Sequence, residues 1–274
     1  MSDSTKLRAL IDGDILVYRS AAACEQKEYT YAPKEGSTPP LKFRYVKEAK
    51  LALGDKISEY TRTHKIILSP PEHCLHSLRH TLEKVMKNTH AGECSIYLGG
   101  PNNFRDLIDP KYKAGRGPKP EYYQLARDYL ISFHDAEIVH GQEVDDRLAQ
   151  EQSSNTVICG IDKDMYQVPG CHYNWVTDTW KYLTKEEGDE WFWIQMLVGD
   201  GVDNIKGIDG VGLIGAAEQV AAFKGDFAKA KESIQDQYIT QFGSSVEFFA
   251  NIRLLYIRRN VYHNTSSLVI KECT

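Results

Sequence analysis

Short runs rich in apolar and β-branched residues alternate along this chain with longer segments whose apolar positions recur every three or four residues. That alternation predicts βαβ units around a mainly parallel sheet. The strand-like runs fall at 7–11, 66–68, 95–98, 137–139, 156–159 and 172–176, and the helical patterns at 46–62, 72–89, 121–132 and 144–152. The run at 66–68 is the shortest-lived, since Ser69, Pro70 and Pro71 follow at once. Residues 24–45 carry Pro33, Pro39 and Pro40 and read as a polar excursion, a hairpin with YTY and LKFRY as its arms. Beyond about residue 184 the helical period takes over. The expected architecture is therefore α/β: a mainly parallel central sheet flanked by helices over 1–184, then a helical lobe over 185–274.

Composition narrows the classes. The chain has 274 residues, 42% hydrophobic and 26% charged, with no low-complexity tract. No apolar run approaches the roughly 20 residues that span a bilayer, and MSDSTKLRALIDGD lacks a signal-peptide apolar region. A cytoplasmic protein without membrane contact is expected. The six cysteines, Cys24, Cys74, Cys94, Cys159, Cys171 and Cys273, form no CxxC pair and read as reduced thiols. His73, His76 and His80 share one helical face, but a polar helix surface accounts for them better than zinc does. Net charge is −5, which argues against a basic coat over the whole surface. Residues 111–127 nevertheless hold Lys111, Lys113, Arg116, Lys119 and Arg127 against Glu121 alone, which taken by itself is equally a strip suited to phosphate and a solvated charged loop.

The acids supply the chemistry. LRALI runs into Asp12-Gly13-Asp14, AEIVH into Glu143, Asp145 and Asp146, and TVICG into Asp162 and Asp164. In an open parallel sheet, residues just beyond the carboxyl ends of strands converge on one crevice. Any one of these segments is equally a turn or the acidic first turn of a helix. Their recurrence at successive strand ends decides for a common site. Like charges gathered this way are costly unless cations compensate, and carboxylate oxygens suit Mg²⁺ or Mn²⁺. A pair of such ions acts on phosphodiesters. Asp200 and Asp203, three apart in GDGVDNIKGIDGVG, add two more carboxylates directly before a glycine-rich turn.

Five blocks, in order, resemble the 5′-nuclease superfamily of flap endonucleases and bacteriophage-type 5′–3′ exonucleases. They are IDGDILVYR, NFRDLIDPKYKAGR, EVDDRLA, GIDKDMYQ and GDGVDNIKGIDGVG, between Leu7 and about Val220. The resemblance implies metal ligation by Asp12, Glu143, Asp145, Asp146, Asp162, Asp164, Asp200 and Asp203. Lys113 and Arg116 would reach the scissile phosphate. It further implies a short arch around 113–140 and a helix–three-turn–helix in the lobe, where Gly207, Gly210 and Gly212, with Lys206 and Lys119, would meet DNA. A K⁺ ion at that turn also follows from the resemblance. One departure stands out: where the family carries an acid before the N-[FW]-R block, this chain has Gly100, which weakens one of two metal positions. The implied activity is metal-dependent 5′–3′ exonuclease or flap endonuclease action on DNA with 5′ ends, nicks or flaps, or on RNA–DNA hybrid, by a monomer in replication or repair. The alternatives are a catalytically weakened DNA-binding protein of the same fold and a PIN-type ribonuclease. A haloacid-dehalogenase reading of IDGDI fails because Leu16 stands where that motif needs Thr or Val.

Overall fold

Six strands form the principal sheet, in the order β6-β5-β1-β7-β8-β9. A computed structural model describes residues 6–36 and 38–259 of the chain. β1 (Arg8–Asp12) lies between β5 (Glu93–Gly99) and β7 (Thr156–Cys159), parallel to both. β6 (Glu137–Val139) extends the sheet beyond β5, and β8 (Gly170–Asn174) beyond β7, again in parallel. Only β9 (Thr179–Leu183) runs antiparallel, as an edge. β7 is buried at every residue and β1 at all but its first, which is why TVIC and ALI read as unbroken apolar runs. After β1 the chain builds outward through β5 and β6, then returns to β7 on the opposite flank. The carboxyl ends of β1 and β7 therefore flank the point where strand order reverses, the usual place for a ligand crevice.

The chain divides into two compact units. The larger comprises, among the described residues, 6–15, 81–118 and 130–259, and holds the six-stranded sheet. α6 (Val144–Glu151) packs on β1 and β5, and Leu10, Val139, Leu148 and Ile158 share one core. The C-terminal helices have a second core, in which Trp193 of α7 (Lys185–Val198), Tyr238 of α9 (Phe227–Phe242) and Phe248 of α10 (Val246–Leu255) meet. Thr184 begins α7 with a reciprocal cap: its hydroxyl accepts from Glu187 N–H, and the Glu187 carboxylate accepts from Thr184 N–H. Between α7 and α8 (Leu213–Ala221) stand two-residue strands β10 (Gly199–Asp200) and β11 (Ile205–Lys206), paired antiparallel.

The smaller unit comprises Leu16–His80 and Lys119–Tyr129. Its sheet, in the order β3-β2-β4, is antiparallel, with β2 (Glu25–Pro33) between β3 (Leu41–Phe43) and β4 (Tyr60–Leu68). The YTY and LKFRY arms pair as expected, Tyr29 opposite Phe43 and Tyr31 opposite Leu41.

Two sequence expectations are corrected here. The helical pattern over 46–62 ends at Leu53: α2 is Val46–Leu53, a short 3₁₀ helix covers Gly54–Glu59, and β4 begins at Tyr60. Gly54, at φ +54°, stops the helix in a conformation that glycine adopts readily. The run at 66–68 is the end of β4 in the antiparallel sheet and contributes nothing to the parallel one. The helices expected at 72–89 and 121–132 occur as α3 (Pro71–Thr89) and α5 (Tyr123–His134). Cys24, Cys74, Cys94, Cys159 and Cys171 are free thiols, while Cys273 lies outside the described residues. No described helix is long and apolar enough to cross a membrane.

Candidate metal centre

Asp12 is the last residue of β1 and is almost fully buried. One of its oxygens accepts from Ile15 N–H at 3.0 Å, so the carboxylate also caps α1 (Gly13–Ala22). Burial pushes its carboxyl up to about 7, and Asp14 and Asp162 add to that rise. Asp145, in the first turn of α6, is pushed well above the carboxylate range by burial, then by Asp162, Asp12 and Glu143. Beyond β7, burial raises Asp162, and burial followed by Asp162, Asp200 and Asp203 raises Asp164 to about 7. Asp162 accepts from Asp164 N–H at 2.9 Å, and Asp164 from Gln195 Nε2 at 2.7 Å. Asp200 accepts from the N–H groups of Val202 and Asp203, folding the turn between β10 and β11.

A cleft of about 200 Å³ is lined by Glu143, Asp145, Asp162, Asp164, Asp200 and Asp203, together with Tyr112, Lys113 and Arg116. A hollow of about 170 Å³ adds Asp12 and Asp14 to Asp145 and Asp162. The donors are hard carboxylate oxygens, with no thiolate or imidazole among them. That set fits Mg²⁺ or Mn²⁺ in chemistry. Among the described residues, no three such side chains already stand close enough to hold one ion. Basic side chains hold two of the acids instead. Lys113 pairs with Glu143 and lies 3.7 Å from Asp203, while Arg116 binds Asp203 Oδ1 through Nη2 at 2.5 Å and Nε at 3.1 Å. Basic side chains thus pair directly with Glu143 and Asp203, whereas for Asp145 and Asp164 the pull of Lys113 is outweighed by burial and neighbouring acids, and Asp12 is raised by burial, Asp14 and Asp162.

Asp146 departs from its expected place. It is completely buried, and all its acceptor positions are used: Arg105 donates two bonds at 2.6 and 3.1 Å, Arg258 N–H one at 2.8 Å and Glu143 N–H one at 3.2 Å. Burial alone would raise its carboxyl, but Arg105 and Arg258 hold it below the ordinary value. Arg105 donates also to the carbonyls of Leu254 and Tyr256, and its Nη1 lies 3.6 Å from Glu143. The pair is a structural clamp between α6, α4 (Phe104–Ile108) and the segment after α10.

The glycine-rich turn also separates. Gly207 is buried, and a Cβ there would stand 2.4 Å from the Leu197 carbonyl oxygen, so its use is close backbone packing on the end of α7. Gly210, at φ +79°, and Gly212, the residue that begins α8, have open space around them. Lys206 is exposed and pairs with Asp209 at 3.0 Å. Lys119 belongs to the smaller unit, its ammonium 4.5 Å from the centre of the Tyr123 ring. Tyr122 donates to the Ser69 carbonyl at 2.9 Å, a packing role that ties its hydroxyl inside that unit.

Two contributors, Tyr112 and Arg105, were not singled out from sequence, and a third, Asn103, is read there only as a neutral stand-in for the acid missing at Gly100. Tyr112, nearly buried, donates toward both Glu143 and Asp203, at 3.1 and 3.2 Å, and so bridges two acids. Asn103 donates to Glu143 at 2.9 Å. Arg105 fixes the helix that carries Asp145. The aromatic between Lys111 and Lys113 was the available signal for Tyr112; for Arg105 no local pattern tells a buried arginine from an exposed one.

No family model matches the sequence. Among solved structures, a mutant T5 5′-exonuclease superposes with a TM-score of 0.57 at 13% identity, covering 98% of this chain and 100% of that one. The bacteriophage T5 flap endonuclease, in a pseudo-enzyme–product complex with DNA and metal ions, gives a TM-score of 0.59 at 14% identity over 97% and 96%. T5 5′-exonuclease with bound zinc gives 0.55 at 15% identity over 91% and 89%. At these identities the likeness is one of fold. The chain has the α/β fold of these nucleases, the one its sequence blocks pointed to.

Proposed function

We propose that the chain is a divalent-metal-dependent 5′-nuclease of the 5′-nuclease superfamily, hydrolysing phosphodiesters near 5′ ends, nicks or flaps of DNA, or in RNA–DNA hybrid, during replication or repair in the cytoplasm. The observation that carries this is that carboxylates from β1, α6, the β7 end and the β10–β11 turn line two hollows that share Glu143, Asp145 and Asp162, and that Lys113 and Arg116 line both. T5 relatives in fold with DNA and metal ions support it. Asp12, Glu143, Asp145, Asp162, Asp164, Asp200 and Asp203 would hold Mg²⁺ or Mn²⁺. Such ions activate water and offset charge on the leaving oxygen. Asp146 is left out of this set because its lone pairs serve Arg105 and the backbone.

The chain's own groups have defined tasks. Lys113 and Arg116, now held by Glu143 and Asp203, exchange those carboxylates for the non-bridging oxygens of an incoming phosphate. Arg116 suits the forked contact and Lys113 the point charge. Tyr112 keeps Glu143 and Asp203 in register during that exchange. Residues 1–184 form the cleaving core, with 113–140 as a short arch, and 185–274 the lobe that grips duplex. In the lobe the N–H groups around Gly210 and Gly212, at the start of α8, meet a backbone phosphate, and Lys206 assists. A K⁺ ion would be held by backbone groups of this turn and would offset phosphate charge there, and the protein works as a monomer. Replacing Lys113 with Ala is expected to lower single-turnover cleavage by about 100-fold or more, the scale of an oxyanion-stabilising group. Duplex affinity should change little. A loss of affinity with unchanged turnover would make Lys113 a docking residue instead.

A further inference from the structure

The carboxyl end of β5 adjoins that of β1, yet it contributes only Gly99 and Gly100 to the crevice. A Cβ at Gly100 would stand 2.5 Å from the Val139 carbonyl oxygen, which already accepts the Gly100 N–H at 2.8 Å. That position is closed to any side chain. Gly99 differs. The Cβ built on it would come 2.6 Å from an oxygen of Asp14, and the nearest atom of any other residue is a Val144 methyl at 4.0 Å. That same oxygen, Oδ2, accepts the Gly99 N–H at 2.8 Å. A side chain growing from the end of β5 and the carboxylate of Asp14 would thus occupy the same space, and Asp14 reaches it from the first turn of α1. The hollow it lines is shared with Asp12, Asn103, Glu143, Asp145 and Asp162.

We infer that Asp14 supplies, from α1, the carboxylate that the end of β5 lacks, and that it is a further metal-holding residue of the centre. The inference rests on the metal-dependent reading above. Its geometric content is a relocation: the charge sits where a β5 side chain would put it, but it is carried by the neighbouring helix. A residue serving only as a cap on Gly99 N–H would hold the strand end and leave cation affinity alone.

Calorimetric titration of the full chain with Mn²⁺, without DNA, separates the two. Asp14→Asn keeps an acceptor for Gly99 N–H and removes the charge; its Mn²⁺ affinity should fall roughly 10- to 100-fold, the range seen when groups supporting a metal site are removed. The double change Asp14→Ala with Gly99→Asp returns a carboxylate to the same space from the other backbone, and should recover most of the lost affinity. Asp14→Ala with Gly99→Asn should not. Wild-type affinity in Asp14→Asn overturns the inference. So does a Gly99→Asp double variant that binds no better than its Asn counterpart, a comparison that stands even where Asp14→Asn folds poorly. Absence of Mn²⁺ binding by the wild-type chain would instead sink the metal reading itself, and this inference with it.

Discussion

Two adjacent acids, Asp145 and Asp146, show how far residue-level reading reaches. Both lie in the same turn of α6 and in the same E-x-D-D block, and no sequence rule separates them. The fold does, because a helix turns about 100° per residue. Asp145 lines the hollow with Asp12 and Asp162 and feels their charge, and Asp146 binds Arg105. Their neutral replacements should therefore move stability in opposite directions. Asp146→Asn leaves Arg105 buried and only partly compensated, and is expected to cost about 3–5 kcal/mol in urea unfolding. Asp145→Asn relieves repulsion, and should leave the metal-free protein as stable as wild type or more stable by about 0.5–2 kcal/mol, while weakening Mn²⁺ binding. Equal destabilisation by both changes would contradict the division between clamp and metal centre. The acids themselves were legible because carboxylates at strand ends are a pattern along the chain. The clamp was not, since Arg105, Leu254 and Tyr256 are joined only in space.

At the level of elements, β7 falls on the expected residues, 156–159, where every residue is buried and the apolar run is unbroken. β6 falls on 137–139 as expected although only Val139 is buried. β9 was missed: TWKYL is mostly exposed along an edge, and its place depends on pairing with β8. The antiparallel sheet of the smaller unit was half legible, through the YTY and LKFRY arms, because β4 is polar over its first six residues and has no buried face to impose an alternation. The glycine turn illustrates a similar limit. Gly207, Gly210 and Gly212 look alike in sequence, yet Gly207 alone lies against the backbone of Leu197–Gly199. Gly207→Ala is expected to cost about 1–3 kcal/mol through overpacking. Gly212→Ala, at an open helix start, should cost below about 1 kcal/mol. Urea midpoints of the two variants check the order; a larger loss at Gly212 would place the tight contact elsewhere.

On the scale of the whole molecule, the centre leaves a signature in stability against pH. Asp12 and Asp164 have folded-state values of about 7, against about 4 in an unfolded chain. Below that lower value both states hold the protons and the stabilisation is complete. As pH rises toward 7 only the unfolded chain has released them, so stability falls across that window. Asp146, shifted down, contributes in the opposite sense and is lost on strong acidification. With chelator present, the melting temperature should peak near mildly acidic pH and decline toward pH 8. Mn²⁺ should restore it most at pH 8, where the acids are ionised. A flat profile with chelator would mean that the acids are already compensated. The division of labour between carboxylates and basic residues comes together in one reaction. A flapped duplex labelled at the 5′ end, incubated with the full chain, should yield short 5′-labelled products in Mg²⁺. None should form with chelator, and none with Asp162→Asn, which should still bind the DNA. Cleavage that persists in chelator, or full activity of Asp162→Asn, would contradict the account.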